Sequence, residues 1–314
     1  MKHKKIAFLS LPIIAILSGC GGGGGGGGGG SSITYRNITA NFSEDLTNVR
    51  ASLSGGISNE TNYTWSSSSG LVTGISDIGG GSTGATITAT YDSNSDYEAA
   101  GFTTAGGTTV TFDSNDTFGT FVLDSDFVVA EQSDGTEYLV AANPYDAGFD
   151  YQTFGTWATG VNSGSGKAGA ISAGFVTTDI SELPTSGSAT YTGITGGRYV
   201  DSDGDYGWTK STLSASANFA SRQLAVTSSG TYYTNQAGTS SSGSNGNLNF
   251  TGTLSYSSSS PVFTGTITTT GGDSGTMTGR FYGPNYEEIG GTFGINAASG
   301  QTLDVYAGGF GATR

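Results

Sequence analysis

The chain has 314 residues, of which 55 are glycine and only 11% are charged. It carries 25 acidic residues against 11 Lys and Arg, a net charge of −14, with one histidine, His3, and one cysteine, Cys20. Without a usable His or a spare Cys, the chain cannot build a His-based catalytic triad, a His/Cys zinc site or a His-ligated haem. The acidic balance argues against nucleic acid as a partner, because phosphates need clustered Lys and Arg.

Residues 1–19 have the pattern of a secretory signal peptide. Three lysines form a positive start, and the apolar stretch 6–16 is too short to span a bilayer. The stretch ends in Leu-Ser-Gly-Cys at 17–20, which resembles the bacterial lipobox. Cleavage before Cys20 would make this cysteine the acylated N-terminus. The alternative is an ordinary secretory signal with a chance cysteine.

The segment 20–32 is predicted to be a tether between lipid and protein. Residues 21–30 are ten consecutive glycines, a flexible coil with a mean reach of about 20 Å. Gly21 stands where inner-membrane lipoproteins of diderm bacteria carry Asp, which favours the outer membrane. Cleavage removes three lysines and no acid, so the mature chain keeps eight basic and 25 acidic residues, a net charge of −17.

Beyond Ser32 the sequence predicts an all-β protein without helices. The alternative is a disordered chain, because Gly- and Ser-rich sequences often fail to fold. The aromatic content of 11% and the alternation of apolar with polar residues argue against disorder. In the first half, strands are predicted at 85–91, 108–112 and 118–123. A hairpin is predicted around 133–135, between the strands 127–130 and 137–141. The Asn143-Pro144 pair favours a turn at the best domain boundary.

The second half alternates apolar and small polar residues more regularly. Apolar positions recur with a period of two in the following segments: 213–219, 248–256, 263–267, 277–281 and 303–307. This pattern is typical of half-buried antiparallel strands. Gly272-Asp273-Ser274-Gly275 predicts a hairpin connection between two of them. Glycines at inward positions would let a small barrel or sandwich curve and would make room for aromatic rings.

One acidic segment has the alternating carboxylates of a calcium loop. Asp201, Asp203 and Asp205 are the candidate calcium ligands, but the glycine and the glutamate that an EF-hand needs are Tyr206 and Thr212 here. We therefore expect a solvated acidic hairpin tip. Weaker candidates of the same kind are Asp113, Asn115, Asp116, Asp124 and Asp126.

Other segments resemble catalytic or ligand-binding motifs. The segment 272–275 superficially resembles a serine-protease nucleophile, but the chain has no base for it. The segment 164–167 lacks the flanking residues of a P-loop. An enzyme that uses only carboxylates, such as a glycoside hydrolase, needs a pair of acids in a pocket, and no pocket-forming motif of this sequence contains such a pair. Aromatic residues near Gly-rich loops are candidates for ligand contact or for plain strand packing: Tyr199, Tyr206, Trp208, Tyr232 and Tyr233.

Residues 279–293, Gly-Arg-Phe-Tyr-Gly-Pro-Asn-Tyr-Glu-Glu-Ile-Gly-Gly-Thr-Phe, carry a long ordered motif. It resembles the G-x-F-Y-G-P-x-A-x-E-x-G-G-x-F signature of transferrin-binding protein B-like lipoproteins, with Tyr286 in place of the family's alanine. Its own residues indicate a structural corner, because a Gly-Pro-Asn turn is followed by two glycines that permit close strand packing. The end of the chain, 309–314, resembles the usual ending of that family. Segment 149–157 resembles its first barrel strand, and 183–193 resembles the following strand.

The resemblance implies one lobe, with a β-rich handle domain at 33–146 and an eight-stranded antiparallel barrel at 147–314. A membrane-spanning barrel would also alternate, but the Ser, Thr and Asn set suits a solvated exterior around an apolar interior. The family's ligand-contacting loops vary, so the ligand-binding residues stay unknown.

The sequence therefore predicts a non-enzymatic lipoprotein of the outer membrane, exposed at the cell surface and held there only by its lipid. We expect it to bind an iron- or haem-carrying protein, or a small nutrient, and to pass it to an outer-membrane transporter. No cofactor and no metal are predicted. The alternative is a structural or adhesive surface lipoprotein with no transport role.

Overall fold

A computed structural model describes residues 5–6, 34–121, 124–175, 177–234, 241–298 and 303–314. Cys20 and the glycine tether lie outside these ranges. The described chain is almost entirely β-structure. Its helical pieces are the one-turn helix α1 at Pro144–Ala147 and two 3-10 turns at Ile180–Glu182 and Gly246–Leu248. An all-β fold was predicted and is confirmed, with α1 as a small exception at the predicted Asn-Pro turn.

The first half forms one 12-stranded sheet, here called the handle sheet. Its strands are β1 (Lys5–Ile6), β2 (Arg36–Ile38), β3 (Val49–Ser66), β4 (Leu71–Ile75), β5 (Ser82–Tyr91), β6 (Tyr97–Thr103), β7 (Thr109–Phe112), β8 (Thr117–Phe121), β9 (Phe127–Glu131), β10 (Tyr138–Ala142), β11 (Gln152–Ala158) and β12 (Ser165–Gly174). The order is β1-β8-β9-β10-β11-β12-β3-β5-β6-β7, with β2 and β4 also paired to β3. The sheet curls into a half-barrel, and the predicted hairpin at 133–135 joins β9 to β10.

The second half forms a closed barrel. The strands are β13 (Ser188–Asp201), β14 (Tyr206–Asn218), β15 (Gln223–Thr234), β16 (Ser241–Ser244), β17 (Phe250–Ser257), β18 (Ser260–Thr269), β19 (Ser274–Tyr282), β20 (Glu288–Asn296) and β21 (Leu303–Thr313). Eight strands run antiparallel in the order β14-β13-β21-β20-β19-β18-β17-β15, and pairing of β14 with β15 closes the ring. The short strand β16 pairs with β15 outside the ring. The eight-stranded antiparallel barrel is thus confirmed.

Apolar side chains fill the barrel interior. In β14 the burial alternates along Leu213, Ala215 and Ala217, all of which belong to the inner core. Glycines make room for rings, as predicted: a Cβ on Gly279 would lie 2.4 Å from the Phe263 ring. Because the interior is filled with side chains, the barrel is a packed core rather than a channel.

The last barrel strand departs from the predicted alternation. Leu303, Val305 and Ala307 were predicted to share the inner face, but only Leu303 joins the inner core. Val305 and Ala307 pack outside the barrel with Ile78 of the loop between β4 and β5, while Tyr306 and Phe310 point inward. The reason is that the handle sheet covers this part of the wall. Both faces of β21 are therefore buried, and alternation no longer marks the inside.

The junction of the two sheets also differs from the prediction. Segment 149–157 was predicted as the first barrel strand, yet β11 pairs with β10 and β12, and β12 pairs with β3. The handle sheet thus continues past residue 146, to Gly174. All seven residues of β11 are buried, because one face of the strand packs in the half-barrel and the other packs against the barrel wall. A strand buried on both faces shows no alternation to read.

The signature segment fixes this junction. The Glu288 Oε1 atom accepts the backbone N–H groups of Asp150 at 2.6 Å and Tyr151 at 3.2 Å. The Gln152 Nε2 group donates to the Ile289 carbonyl at 3.2 Å. The motif therefore ties the barrel to the start of β11, which agrees with its interpretation as a structural corner.

Candidate ligand-binding site

A large open depression lies on the handle sheet and is lined by three loops. It encloses about 1650 Å³ of empty space, counting the solvent at its mouth. We call it the handle groove, and its lining residues fall in 42–46, 91–97 and 143–150. The Phe42 N–H donates to the Asp150 carbonyl at 2.7 Å, so the first and third loops are held together.

An aromatic floor underlies the handle groove. The Tyr91 hydroxyl donates to the Tyr97 hydroxyl at 3.2 Å, and the two ring centroids lie 4.7 Å apart. Burial raises the pKa of both phenols, so both stay neutral at physiological pH. The Phe42 ring packs edge-on against Phe175, with centroids 4.6 Å apart. This floor is rigid because every ring has a packed partner.

Tyr145 stands at the rim of the groove, 75% exposed. It lies on α1, which begins after Asn143 with Pro144 in its first turn and ends at Gly148 in the left-handed region, with φ of 76°. Among the described residues, no other large hydrophobic side chain is classed as exposed. Proline in the first turn and a left-handed glycine at the end are usual helix boundaries. The local sequence therefore explains how the ring is held out into solvent.

The rim carries negative charge. Glu44, Asp45, Asp146 and Asp150 line the groove, and none of its lining residues is basic. A hydrogen bond from the Thr47 N–H to the Asp45 carboxylate, 2.9 Å long, lowers the pKa of Asp45. Glu44 forms an ion pair with Arg36 outside the groove. The potential of the rim is therefore negative at neutral pH.

The calcium candidates lie on the tight turn between β13 and β14. The Asp201 Oδ1 atom accepts the N–H groups of Asp203 at 3.0 Å and Asp205 at 2.9 Å, which folds the turn. In the part of the chain that the structure describes, no group of three His, Cys, Asp or Glu residues could hold a metal ion. The solvated acidic hairpin tip stays the prediction, and this geometry lends no support to the calcium alternative.

The other acidic candidates are also used in local contacts. Asp113 and Asp116 accept backbone N–H groups within their own loop. Asp124 and Asp126 instead cross between the two sheets, where the Lys210 Nζ atom lies 2.6 Å and 2.5 Å from their carboxylates. Burial alone would raise the pKa of Asp124, but hydrogen bonds from Lys210 and Tyr232 lower it. This network joins the handle sheet to the barrel.

The aromatic candidates have separate places in the fold. Tyr199 packs edge-on against Tyr233, with centroids 5.8 Å apart. Trp208 is buried against Phe121 between the handle sheet and the barrel. Of the five candidates, Tyr206 lines a second cleft, between the two sheets. The handle groove itself was missed, because its loops are far apart in the sequence. The available signal was the Asn-Pro turn with its tyrosine and flanking acids.

These features define a lobe of two parts, a filled barrel and a half-barrel sheet, with ligand-accessible clefts formed by loops and by the seam between the parts. The family model of the C-lobe and N-lobe beta barrels of Tf-binding protein B matches residues 183–314. The barrel of this chain is therefore similar to the barrel domains of that family. This confirms the resemblance predicted from the signature.

Two solved structures of transferrin-binding protein B resemble this chain at low identity. A mutant of transferrin-binding protein B from Haemophilus parasuis is 11% identical with a TM-score of 0.41, and the match covers 83% of this chain and 76% of that chain. Isotype 1 transferrin-binding protein B from Neisseria meningitidis is 17% identical with a TM-score of 0.39, and the match covers 74% and 52%. A search of the curated proteins finds no match. Among the described residues, no helix has the length and hydropathy needed to span a membrane.

Proposed function

We propose that this protein is a lipoprotein of the outer membrane that captures a protein ligand at the cell surface through the handle groove. Acylation of Cys20 would anchor it, since several acyl chains together give stable membrane binding. The ten glycines that follow would let the lobe reach its ligand away from the membrane. The family that the barrel resembles consists of binding proteins rather than enzymes, which supports a binding role.

The observation that carries the proposal is the exposed Tyr145 above an acidic rim. A protruding tyrosine contributes a large contact area at low entropic cost and is over-represented among residues that dominate binding energy. Four carboxylates line the rim, of which only Glu44 has an ion-pair partner among the described residues, and this favours a basic face on the ligand. The rigid aromatic floor would keep the surface in place before binding, which lowers the cost of ordering it.

The proposed ligand is an iron- or haem-carrying protein, which the protein would pass to an outer-membrane transporter. The family name supports an iron-carrier, because related proteins are called transferrin-binding proteins. A small nutrient is the second form of this proposal. A structural or adhesive role without transport is the competing function.

The test is capture of ligand by immobilised residues 33–314, with proteins of the natural milieu, iron and haem present. We expect retention of a metal- or haem-carrying protein, identified by mass spectrometry and absorbance. Tyr145→Ala and Asp146→Lys should each weaken its binding at least tenfold. Asp203→Lys changes the net charge equally at a distant turn and should leave binding within twofold. Capture of no such carrier would favour the structural or adhesive role.

A further inference from the structure

A second cleft lies at the seam where the handle sheet meets the outer wall of the barrel. It is narrow, with about 630 Å³ of empty space counting its open mouth. We call it the seam cleft. Its walls include the handle strands β3, β4 and β12, with Ala168 on β12, and the barrel strands β13, β14 and β21. Apolar and aromatic side chains dominate the lining, including Tyr63, Trp65, Val72, Ile75, Tyr206 and Val305.

Arg198 enters this apolar cleft from the barrel strand β13. Its guanidinium carbon lies 4.4 Å from the centroid of the Tyr206 ring and 5.4 Å from that of Tyr138. Burial lowers the pKa of Arg198, and the groups that act on its charge are Tyr206 and Tyr63, not a carboxylate. Within the described ranges, no carboxylate forms an ion pair with Arg198 and no acceptor receives a hydrogen bond from it. Its planar fork of N–H donors is therefore unused.

Three other basic side chains that are half-buried have partners. Lys210 has two carboxylates, and Lys167 lies 2.7 Å from Glu60. Arg280 donates to the Gly55 carbonyl. Although the chain has 25 acidic residues, the half-buried guanidinium of Arg198 has no counter-charge within the described ranges. Removing a charge from water without a partner is strongly unfavourable, and contact with two aromatic faces recovers only part of that loss.

We propose that the seam cleft binds a carboxylate carried on a slender apolar body, with the carboxylate paired to Arg198. A guanidinium accepts a carboxylate through two parallel hydrogen bonds, so its free fork matches that group. The narrow lining of Trp65, Ile75 and Val305 matches an unbranched or flat apolar body rather than a bulky one. This site is separate from the handle groove and does not depend on the proposed protein ligand.

The test compares two probes of equal length, dodecanoate and dodecanol, on the mature full-length protein. Binding is followed by tryptophan fluorescence, since Trp65 lines the cleft, and by the shift in Tm. We expect dodecanoate to bind at least tenfold more tightly than dodecanol. Arg198→Met keeps the length of the stem but removes the charge, so it should abolish this preference. Arg198→Lys should keep part of it.

Two further variants keep the test decisive if Arg198→Met does not fold. Ala168→Phe places a ring in the cleft and should weaken both probes. Tyr145→Ala changes only the handle groove and should leave dodecanoate binding unchanged, which separates this proposal from the protein-capture proposal. Equal binding of acid and alcohol by the unmodified protein would overturn the proposal. So would absence of binding, which would leave Arg198 as a stacked bridge between Tyr138 and Tyr206.

Discussion

The barrel and the handle sheet bury the apolar faces of their strands in different ways. The barrel closes on itself, so the inner face of each of its eight strands is buried in the barrel interior. These inner faces need no second sheet to cover them. The handle sheet is only a half-barrel, and it buries apolar residues on both faces, one inside its own curve and one against the barrel wall. A closed sheet has no edges to protect, whereas an open sheet must find a partner.

This difference shows where binding sites can arise. The barrel interior is filled, so it offers no space to a ligand. The handle sheet leaves open loops at one end, which form the handle groove, and a seam along its contact with the barrel. Both candidate sites therefore come from the open sheet, while the closed barrel serves as a rigid support.

The largest expected loss of stability comes from a cavity in the barrel core. The Phe293 ring is fully buried, with centroids 4.9 Å from Tyr306 and 5.1 Å from Phe250. Phe293→Ala should lower the free energy of unfolding by about 3–5 kcal/mol through lost contacts and a cavity. Urea denaturation measures this, and Thr266→Ala on the exposed side of the barrel should change it by less than about 0.5 kcal/mol. Similar losses for the two variants would contradict a one-sided barrel core.

A pH-dependent effect should come from the junction between the two parts. Burial raises the pKa of Glu288 to about 8, and its Oε2 atom is buried without a hydrogen-bond partner. In the unfolded chain the carboxyl ionises near its ordinary pKa, about 4.5, so stability is lost as pH rises from there toward 8. The loss attributable to this group between pH 4.5 and 7 is about 3 kcal/mol.

Glu288→Gln keeps an oxygen for the N–H groups of Asp150 and Tyr151 but cannot ionise. We expect this variant to lose most of the fall in stability between pH 5 and 8, measured by thermal unfolding at a series of pH values. Glu287→Gln is the control, since Glu287 accepts hydrogen bonds within an exposed turn. An unchanged pH profile in Glu288→Gln would show that this carboxyl is not the group responsible.

A smaller loss of stability should distinguish the ion pairs between the two sheets from an ion pair within the handle sheet. Lys210→Met leaves the carboxylates of Asp124 and Asp126 unpaired between the two parts, where the three side chains are only 16%, 16% and 29% exposed. We expect a loss of about 2 kcal/mol. Lys167→Met breaks the more exposed pair with Glu60 and should cost less than about 1 kcal/mol. A larger loss for Lys167→Met would reverse the proposed order of the two contacts.

The smallest effect on stability should come from the handle groove. Tyr145 is exposed, so Tyr145→Ala should change the unfolding free energy by less than about 0.5 kcal/mol. Circular dichroism and thermal unfolding should therefore match those of the unmodified protein. A clear loss of stability would mean that the ring supports α1 rather than being held free for a partner.

The sequence predicted the barrel better than the handle sheet, for a physical reason. Strands such as β14 have one buried and one solvated face, so Leu213 and Ala215 alternate with polar residues. In β11 every position is buried, and the strand was assigned to the wrong sheet. Val305 and Ala307 were placed on the inner face for the same reason. Alternation of apolar and polar residues identifies strands that are buried on one face. It cannot identify the sheet of a strand that is buried on both faces.

The candidate sites were less accessible to sequence reasoning. The handle groove joins three loops that are up to about a hundred residues apart, and Arg198 stands in an ordinary strand pattern. The sequence does not show that Arg198 lies against Tyr138 and Tyr206 instead of a carboxylate partner. The signature around Glu288 was predicted as a structural corner, and its hydrogen bonds to the start of β11 agree with that.

The most direct test of the account is the binding of an iron- or haem-carrying protein to the lobe, with and without Tyr145→Ala. Surface plasmon resonance at two salt concentrations would measure affinity and its electrostatic part. We expect binding that weakens with salt, because the rim is acidic, and that falls at least tenfold in the variant while the fold is unchanged. Tight binding that ignores both salt and Tyr145→Ala would place the ligand elsewhere and contradict a capture role for the handle groove.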